Sequence, residues 1–223
     1  MINRSKVYSY SDGLQFIGKS HEEIFTAISE TNMWLEKETV SGIGSTINQT
    51  SKIIEKLPKI FNDYGIKTIF DLPCGDFNWF SQINLDKYTY LGGDIVDRLI
   101  NENREKYQRK NIVFITFNLL KEIIPEFDLI FCRDCLVHFS IEDIQKSIKK
   151  IKGSKSKYLM TTTFPEEEKN IDIPTGGWRP INLELFPFNF GEPKYLLNEG
   201  CTEKDGIFRD KSLGLWEIVN IKI

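Results

Sequence analysis

Apolar residues recur at helical spacing near the start of the chain and in short continuous runs further on. Ser20 with Glu23 forms a capping-box signature, which predicts a helix from there to about Lys37. A polar turn, Ser41-Gly42-Ile43-Gly44-Ser45-Thr46, follows. Ile53, Ile54, Leu57, Ile60 and Phe61 then lie on one helical face. Pro58 is expected to kink or split that helix, and Gly65 to end it. From Lys67 the period changes. Apolar runs at 68–72, 88–94, 111–116, 127–132 and 157–162 read as five buried strands. Helical segments are expected near 77–83, 97–108 and 141–152. In the last, Ser140 caps, Ile141, Ile144, Ile148 and Ile151 form a stripe, and Gly153 closes.

Strands alternating with helices predict parallel βαβ units with right-handed crossovers. The link 118–126 has room only for a turn or a short helix. Residues 165–200 are rich in Pro, Gly, Asn and aromatics and read as a long structured loop, a feature usually tied to function. Residues 206–223 read as two strands turning at Asp210-Lys211, an antiparallel hairpin on the sheet edge. The expected organisation is one domain: a helical cap (1–66), a core (67–164), a substrate loop (165–205) and the hairpin (206–223).

Composition narrows the partners. The chain has 223 residues, 40% hydrophobic and 27% charged, which suits one soluble globular domain. A net charge of −3 offers no overall basic character for nucleic acid, so a small-molecule partner is expected. No stretch has the length of a membrane span, and the polar residues 1–11 lack an apolar leader core, so we expect a cytoplasmic protein. In a reducing cytosol the four cysteines should be free thiols. Cys132 and Cys135 form a Cys-x-x-Cys pair. With Cys74 and Cys201 isolated and two histidines in the chain, a zinc set is not made up, and no metal is expected. Oligomeric state is not legible.

The sharpest chemical signal is Phe70-Asp71-Leu72-Pro73-Cys74-Gly75-Asp76-Phe77-Asn78, a buried strand running into a tight acidic turn. Ligands of open α/β sheets sit beyond such strand ends. Gly75 allows close backbone approach. Asp71 and Asp76 would repel a diphosphate and suit a cationic ligand. Asp94 ends the next strand about twenty residues later, the spacing at which an acidic residue grips ribose hydroxyls. Ordinary strand-end turn residues would produce the same letters without that role.

This block resembles the class I S-adenosylmethionine-dependent methyltransferases over residues 67–164. Asp71 to Phe77 resembles their first motif, Asp94 the second, Phe117-Asn118 the third and the stretch from Phe127 to His138 the fourth. The resemblance implies a Rossmann-like seven-stranded α/β sheet, mostly parallel with an antiparallel C-terminal hairpin and helices on both faces, and S-adenosylmethionine as cofactor. It further implies that Asp71 and Gly75 line the methionyl part, Asp94 holds the ribose, Asn118 lies near adenine, and Cys74 is among the cofactor contacts. Arg133 and Asp134 would lie at the transfer centre, Arg133 also counting among the cofactor contacts. Pro73 and Phe77 stand where the family usually has glycine, and Asn118 where aspartate is common. Ser41–Ser45, the Cys132–His138 block and Gly177-Trp178-Arg179-Pro180-Ile181-Asn182-Leu183 are similar to a bacterial subgroup found with capsule and O-antigen synthesis. That similarity implies O-methylation of a sugar or activated sugar precursor.

Several residues carry two readings each. Ser45 sits near the cofactor carboxylate, or in a plain interhelical turn with a cap. His138 is a base for a hydroxyl acceptor, with Asp134 as the other candidate, or His138 only packs under the following helix. Arg133 binds an anionic group of the acceptor, or forms an internal salt bridge. Thr163 donates to the acceptor, or is an ordinary strand residue. Trp178 and Arg179 form a substrate lid, or pin the loop to the core. Two competing functions remain: a nicotinamide-dependent oxidoreductase, disfavoured because Pro73, Asp76 and Phe77 break the glycine pattern a pyrophosphate needs, and a non-catalytic cofactor-binding regulatory module.

Overall fold

The computed structural model of the protein describes residues 13–222; the polar stretch 1–11 lies outside them. Seven strands form one sheet: β1 (Thr68–Asp71), β2 (Thr89–Asp94), β3 (Ile112–Thr116), β4 (Leu129–Cys132), β5 (Tyr158–Thr163), β6 (Tyr195–Asn198) and β7 (Ser212–Glu217). Their order is β3-β2-β1-β4-β5-β7-β6. The first five strands are parallel, and β7 runs antiparallel between β5 and β6. Strand order reverses between β1 and β4, so their carboxyl ends part and leave a crevice.

Each central strand is buried on both faces, which is why these strands read as continuous apolar runs. Along β4, Leu129 and Phe131 point into one core, and Ile130 and Cys132 into the other. Helix α2 (Ile47–Asp63) covers the first face through Ile53, Leu57, Ile60 and Phe61. Helix α4 (Ile141–Gly153) covers the second through Ile144, Ile148 and Ile151. Helix α3 (Asp97–Tyr107) follows β2. Among the described residues no helix is long and apolar enough to cross a membrane.

Four expectations need correction. Helix α1 (His21–Glu30) has the predicted capping box but stops well before Lys37. Thr31 Oγ1 donates back to Ala27 O, and Asn32 and Leu35 take left-handed backbone. Pro58 does not split α2. It sits on the exposed side, where the freed carbonyl can be hydrated, while the opposite stripe stays buried. The segment 77–83 forms only a short 3-10 turn, Phe80–Gln82, because Phe77 has φ +56°. Finally, the antiparallel pair begins inside the stretch read as loop. β6 is Tyr195–Asn198, and residues after Gly206 do not pair with β7. Lys204, Asp205 and Gly206 are left-handed and turn the chain instead.

Candidate functional site

A cleft with about 1120 Å³ of free space, partly open to solvent, lies over the carboxyl ends of β1, β2 and β4. Its floor carries Asp71, Cys74, Gly75, Asp94, Asn118, Arg133 and Asp134. Its roof is the N-terminal segment, with His21, Phe25 and Ile28 from α1, then Trp34, Ser41 and Ser45.

The β1 turn is built for close approach. Gly75 has φ +55°, and a Cβ there would lie 2.5 Å from Ser41 Oγ. Asn103 Nδ2, on α3, donates to Gly75 O at 2.7 Å. Asp94 ties the two strand ends together, accepting from Gly75 N at 3.0 Å and Val96 N at 2.9 Å. Burial pushes its carboxyl up to about 6, against the backbone donors. Asp71 is more deeply set. Burial pushes it up to about 8, although the Tyr90 hydroxyl donates to it at 2.6 Å. Its bonded partner is thus a neutral phenol, and those of Asp94 are backbone amides, so neither carboxyl contacts a cation of the described residues. The Cys74 thiol is raised well above its usual range by burial and stays neutral. Asn118 Oδ1 accepts from Leu120 N at 3.0 Å, leaving its amide protons to the cleft it lines.

The β4 turn carries the charged side. Arg133 Nε and Nη2 reach Glu199 Oε1 and Oε2 at 3.2 and 2.7 Å. Nη2 also donates to Gly44 O at 2.7 Å, and Nη1 to Ser45 Oγ at 3.3 Å. Asp134 Oδ2 lies 3.3 Å from Nη1 as an ion-pair partner. A guanidinium has five donors, and four are engaged in hydrogen bonds. Arg133 lines the cleft and ties the Gly44–Ser45 turn and Glu199 to the end of β4. Asp134 is likewise committed. Its Oδ2 accepts from Lys211 Nζ at 2.6 Å, and its Oδ1 from Thr162 Oγ1 at 3.3 Å. Burial alone would raise its carboxyl, but Arg133 and Lys211 hold it at about 2. At that value it is a poor proton acceptor, which corrects its reading as a base.

His138 differs. Its Nδ1–H donates to Gly177 O at 2.8 Å, which fixes the tautomer and leaves Nε2 as the proton-accepting edge. Burial lowers its pKa below the ordinary value, so the ring stays neutral. Trp34 stands over it at 5.3 Å between ring centroids.

The three residues expected at the acceptor lie elsewhere. Arg179 is 1% exposed. It donates to the carbonyls of Ile171, Leu136, Val137 and Phe139 at 2.6–3.1 Å. It clamps the Leu136–His138 turn from behind and does not line the cleft. Trp178 packs edge-on against Phe208 and Phe164. Thr163 is fully buried, and its hydroxyl accepts from Leu183 N. The 165–190 loop is pinned to the core rather than laid over the cleft. The residues over the cleft that the sequence reading passed by are Trp34, Phe25 and His21. His21 Nε2 and Thr175 Oγ1 meet Asp143 Oδ2 at 2.8 and 2.6 Å, which ties α1 to the start of α4. The pattern held no signal for this, because contacts across 122 positions leave no local period.

No family model and no curated protein matches the sequence. Solved structures do match in shape. The methyltransferase domain of bacterial CtHen1 superposes in two structures. The first has TM-score 0.55 and 13% identity, covering 77% of this chain and 100% of that one. The second has TM-score 0.56 and 15% identity, covering 77% and 98%. The fold is that of a Rossmann-like methyltransferase domain. On this fold the cleft sits at the strand-order reversal between β1 and β4 and extends over β2, with Asp71 ending β1 and Asp94 ending β2.

Proposed function

We propose that the chain is an enzyme that transfers the methyl group of S-adenosylmethionine to a hydroxyl of a small polar acceptor. The observation that carries this reading is the cleft's division of labour. Two buried carboxyls without a cationic partner stand on one side, and a neutral imidazole with a free Nε2 on the other. A cationic ligand fits the first side, because it would offset the burial that raises Asp71 and Asp94. When bound, S-adenosylmethionine supplies an electrophilic methyl group on sulfur. Asp94 would hold ribose hydroxyls, and the free amide of Asn118 an adenine edge. Asp71 and Asp134 would face positive charge, with Gly75 and Cys74 against the methionyl chain. Ser45 Oγ, already accepting from Arg133, keeps its own proton to donate to a carboxylate. Displacement at a methyl group asks chiefly for alignment and exclusion of water. The α1 roof and Trp34 do the second. His138 Nε2 takes the acceptor proton while Gly177 O steadies the ring.

The stretches similar to the surface-glycan subgroup support a sugar hydroxyl as the acceptor, in the cytoplasm, as a step toward capsule or O-antigen. With Arg133 buried and paired with Glu199, that acceptor is recognised by rings and hydroxyls rather than through Arg133 and a phosphate.

Two measurements test the reading. Calorimetry should show binding of S-adenosylhomocysteine and not of NAD; the reverse result overturns it. Turnover of labelled S-adenosylmethionine on a panel of sugars should fall about 100-fold or more in His138→Ala, with S-adenosylhomocysteine affinity within about twofold of wild type. Equal turnover removes His138 from the mechanism.

A further inference from the structure

The C-terminal hairpin reaches the cleft through charge. Glu199, just after β6, and Lys211, just before β7, are held side by side by a backbone bond from Glu199 N to Lys211 O at 2.9 Å. The side chains of Arg133, Glu199 and Lys211 are 3%, 1% and 7% exposed. Lys211 Nζ lies 2.6 Å from Asp134 Oδ2 and 3.7 Å from Glu199 Oε2. Glu199 in turn takes two donors of Arg133, which also donates to Gly44 O and Ser45 Oγ and pairs with Asp134 at 3.3 Å. Gly44 sits close upon this cluster: a Cβ there would lie 3.0 Å from Lys211 Nζ and 2.9 Å from Glu203 Oε1.

Three buried charges and a half-buried fourth, Asp134, are a costly way to join a hairpin to a sheet. Apolar residues of similar volume stabilise such positions at least as well. The arrangement does what apolar packing does not. It fixes the Gly44–Ser45 turn at one height over the β4 end, orients the Ser45 hydroxyl, and keeps Asp134 ionised at the cleft wall.

We propose that Lys211 and Glu199 are positioning residues for the amino-acid end of the cofactor, acting through Arg133 and Asp134 on the Gly44–Ser45 turn. The proposal rests on the methyltransferase reading. It separates the cleft into an adenosine half set by Asp94 and Asn118 and an amino-acid half set by the β1 turn, β4 and the hairpin. Either half can then be weakened alone.

The test compares two ligands on the full chain by calorimetry. S-adenosylhomocysteine carries the amino-acid end, and 5′-methylthioadenosine keeps the adenosine and sulfur without it. Lys211→Met and Glu199→Gln should each weaken S-adenosylhomocysteine by about tenfold or more. The truncated nucleoside should bind within about twofold of wild type, and Lys211→Arg should recover most of the lost affinity. Should Lys211→Met fail to fold, as a thermal melt would reveal, Glu199→Gln carries the comparison, since it keeps the shape and one acceptor. Equal losses for both ligands, or no loss for either, overturn the proposal and leave the methyltransferase reading standing. A wild-type protein that binds neither ligand overturns both.

Discussion

Asp71 shows how much a single position depends on its surroundings. Its place at the end of a buried strand was readable, and so was the suitability of a carboxylate for a cation. Its protonation was not, because desolvation depends on residues distant in sequence. With burial holding it at about 8, the free protein carries Asp71 mostly neutral at pH 7. Tyr90, Asp94, Cys74 and Arg133 are the titratable groups that act on it. A bound cation favours the ionised form, so binding should release a proton. S-adenosylmethionine affinity should therefore rise as pH increases toward 8 and level off above it. Calorimetry in buffers of different ionisation enthalpy counts the proton. Asp71→Asn should flatten the dependence, and a slope unchanged in that variant would place the titrating group elsewhere. Arg179 teaches the same lesson with the opposite outcome. Arg-next-to-Trp in a loop suggested a ligand contact, yet four carbonyls take its fork. We expect Arg179→Met to lower kcat through a displaced His138 turn, while cofactor affinity holds. A variant with full kcat and normal fold would show that the clamp is dispensable.

Among the elements, those with a strong local period were legible. α2, α4 and the first five strands stand where their apolar residues put them, within a few residues at the ends. β6 escaped, because Tyr195-Leu196-Leu197-Asn198 is a short edge strand among prolines and glycines with just Leu197 buried. The roof was half legible. Its capping box was plain, but its early stop and its strap to α4 were not. His21→Ala or Asp143→Ala removes the strap at 2.8 Å. Either should raise hydrogen exchange over α1 and speed release of S-adenosylhomocysteine about threefold to tenfold, with little change in exchange across β1 and β4. Exchange in α1 matching wild type would mean that apolar packing of Phe25 and Ile28 suffices.

For the whole molecule, two carboxyls raised by burial set a pH trend. A carboxyl whose folded value lies above its unfolded value of about 4 favours the folded state at low pH. That contribution fades as pH climbs from there toward about 6 for Asp94 and about 8 for Asp71. The ligand-free protein should thus lose stability between pH 5 and 8 through these two groups. Asp71→Asn should lose less over the same interval in urea titrations. Saturating S-adenosylhomocysteine should offset the loss. At 100 times its dissociation constant it contributes about 2.7 kcal/mol, or a rise in Tm of roughly 5–10 °C for a domain of this size. A Tm indifferent to the ligand at such a concentration would count against the cleft as its site.

What the sequence determined by itself was the alternation of strand and helix, the buried sheet core and the acidic turn at Asp71–Asp76 with Asp94 beyond it. These follow from periods of two and 3.6 residues and from strand-end chemistry, both written locally. Tertiary structure alone decided which charged groups remain available. Arg133, Asp134 and Arg179 are engaged by partners up to 89 positions away, and His138 is left with a free nitrogen. Proximity after folding assigns donors to acceptors, and no local pattern encodes that assignment.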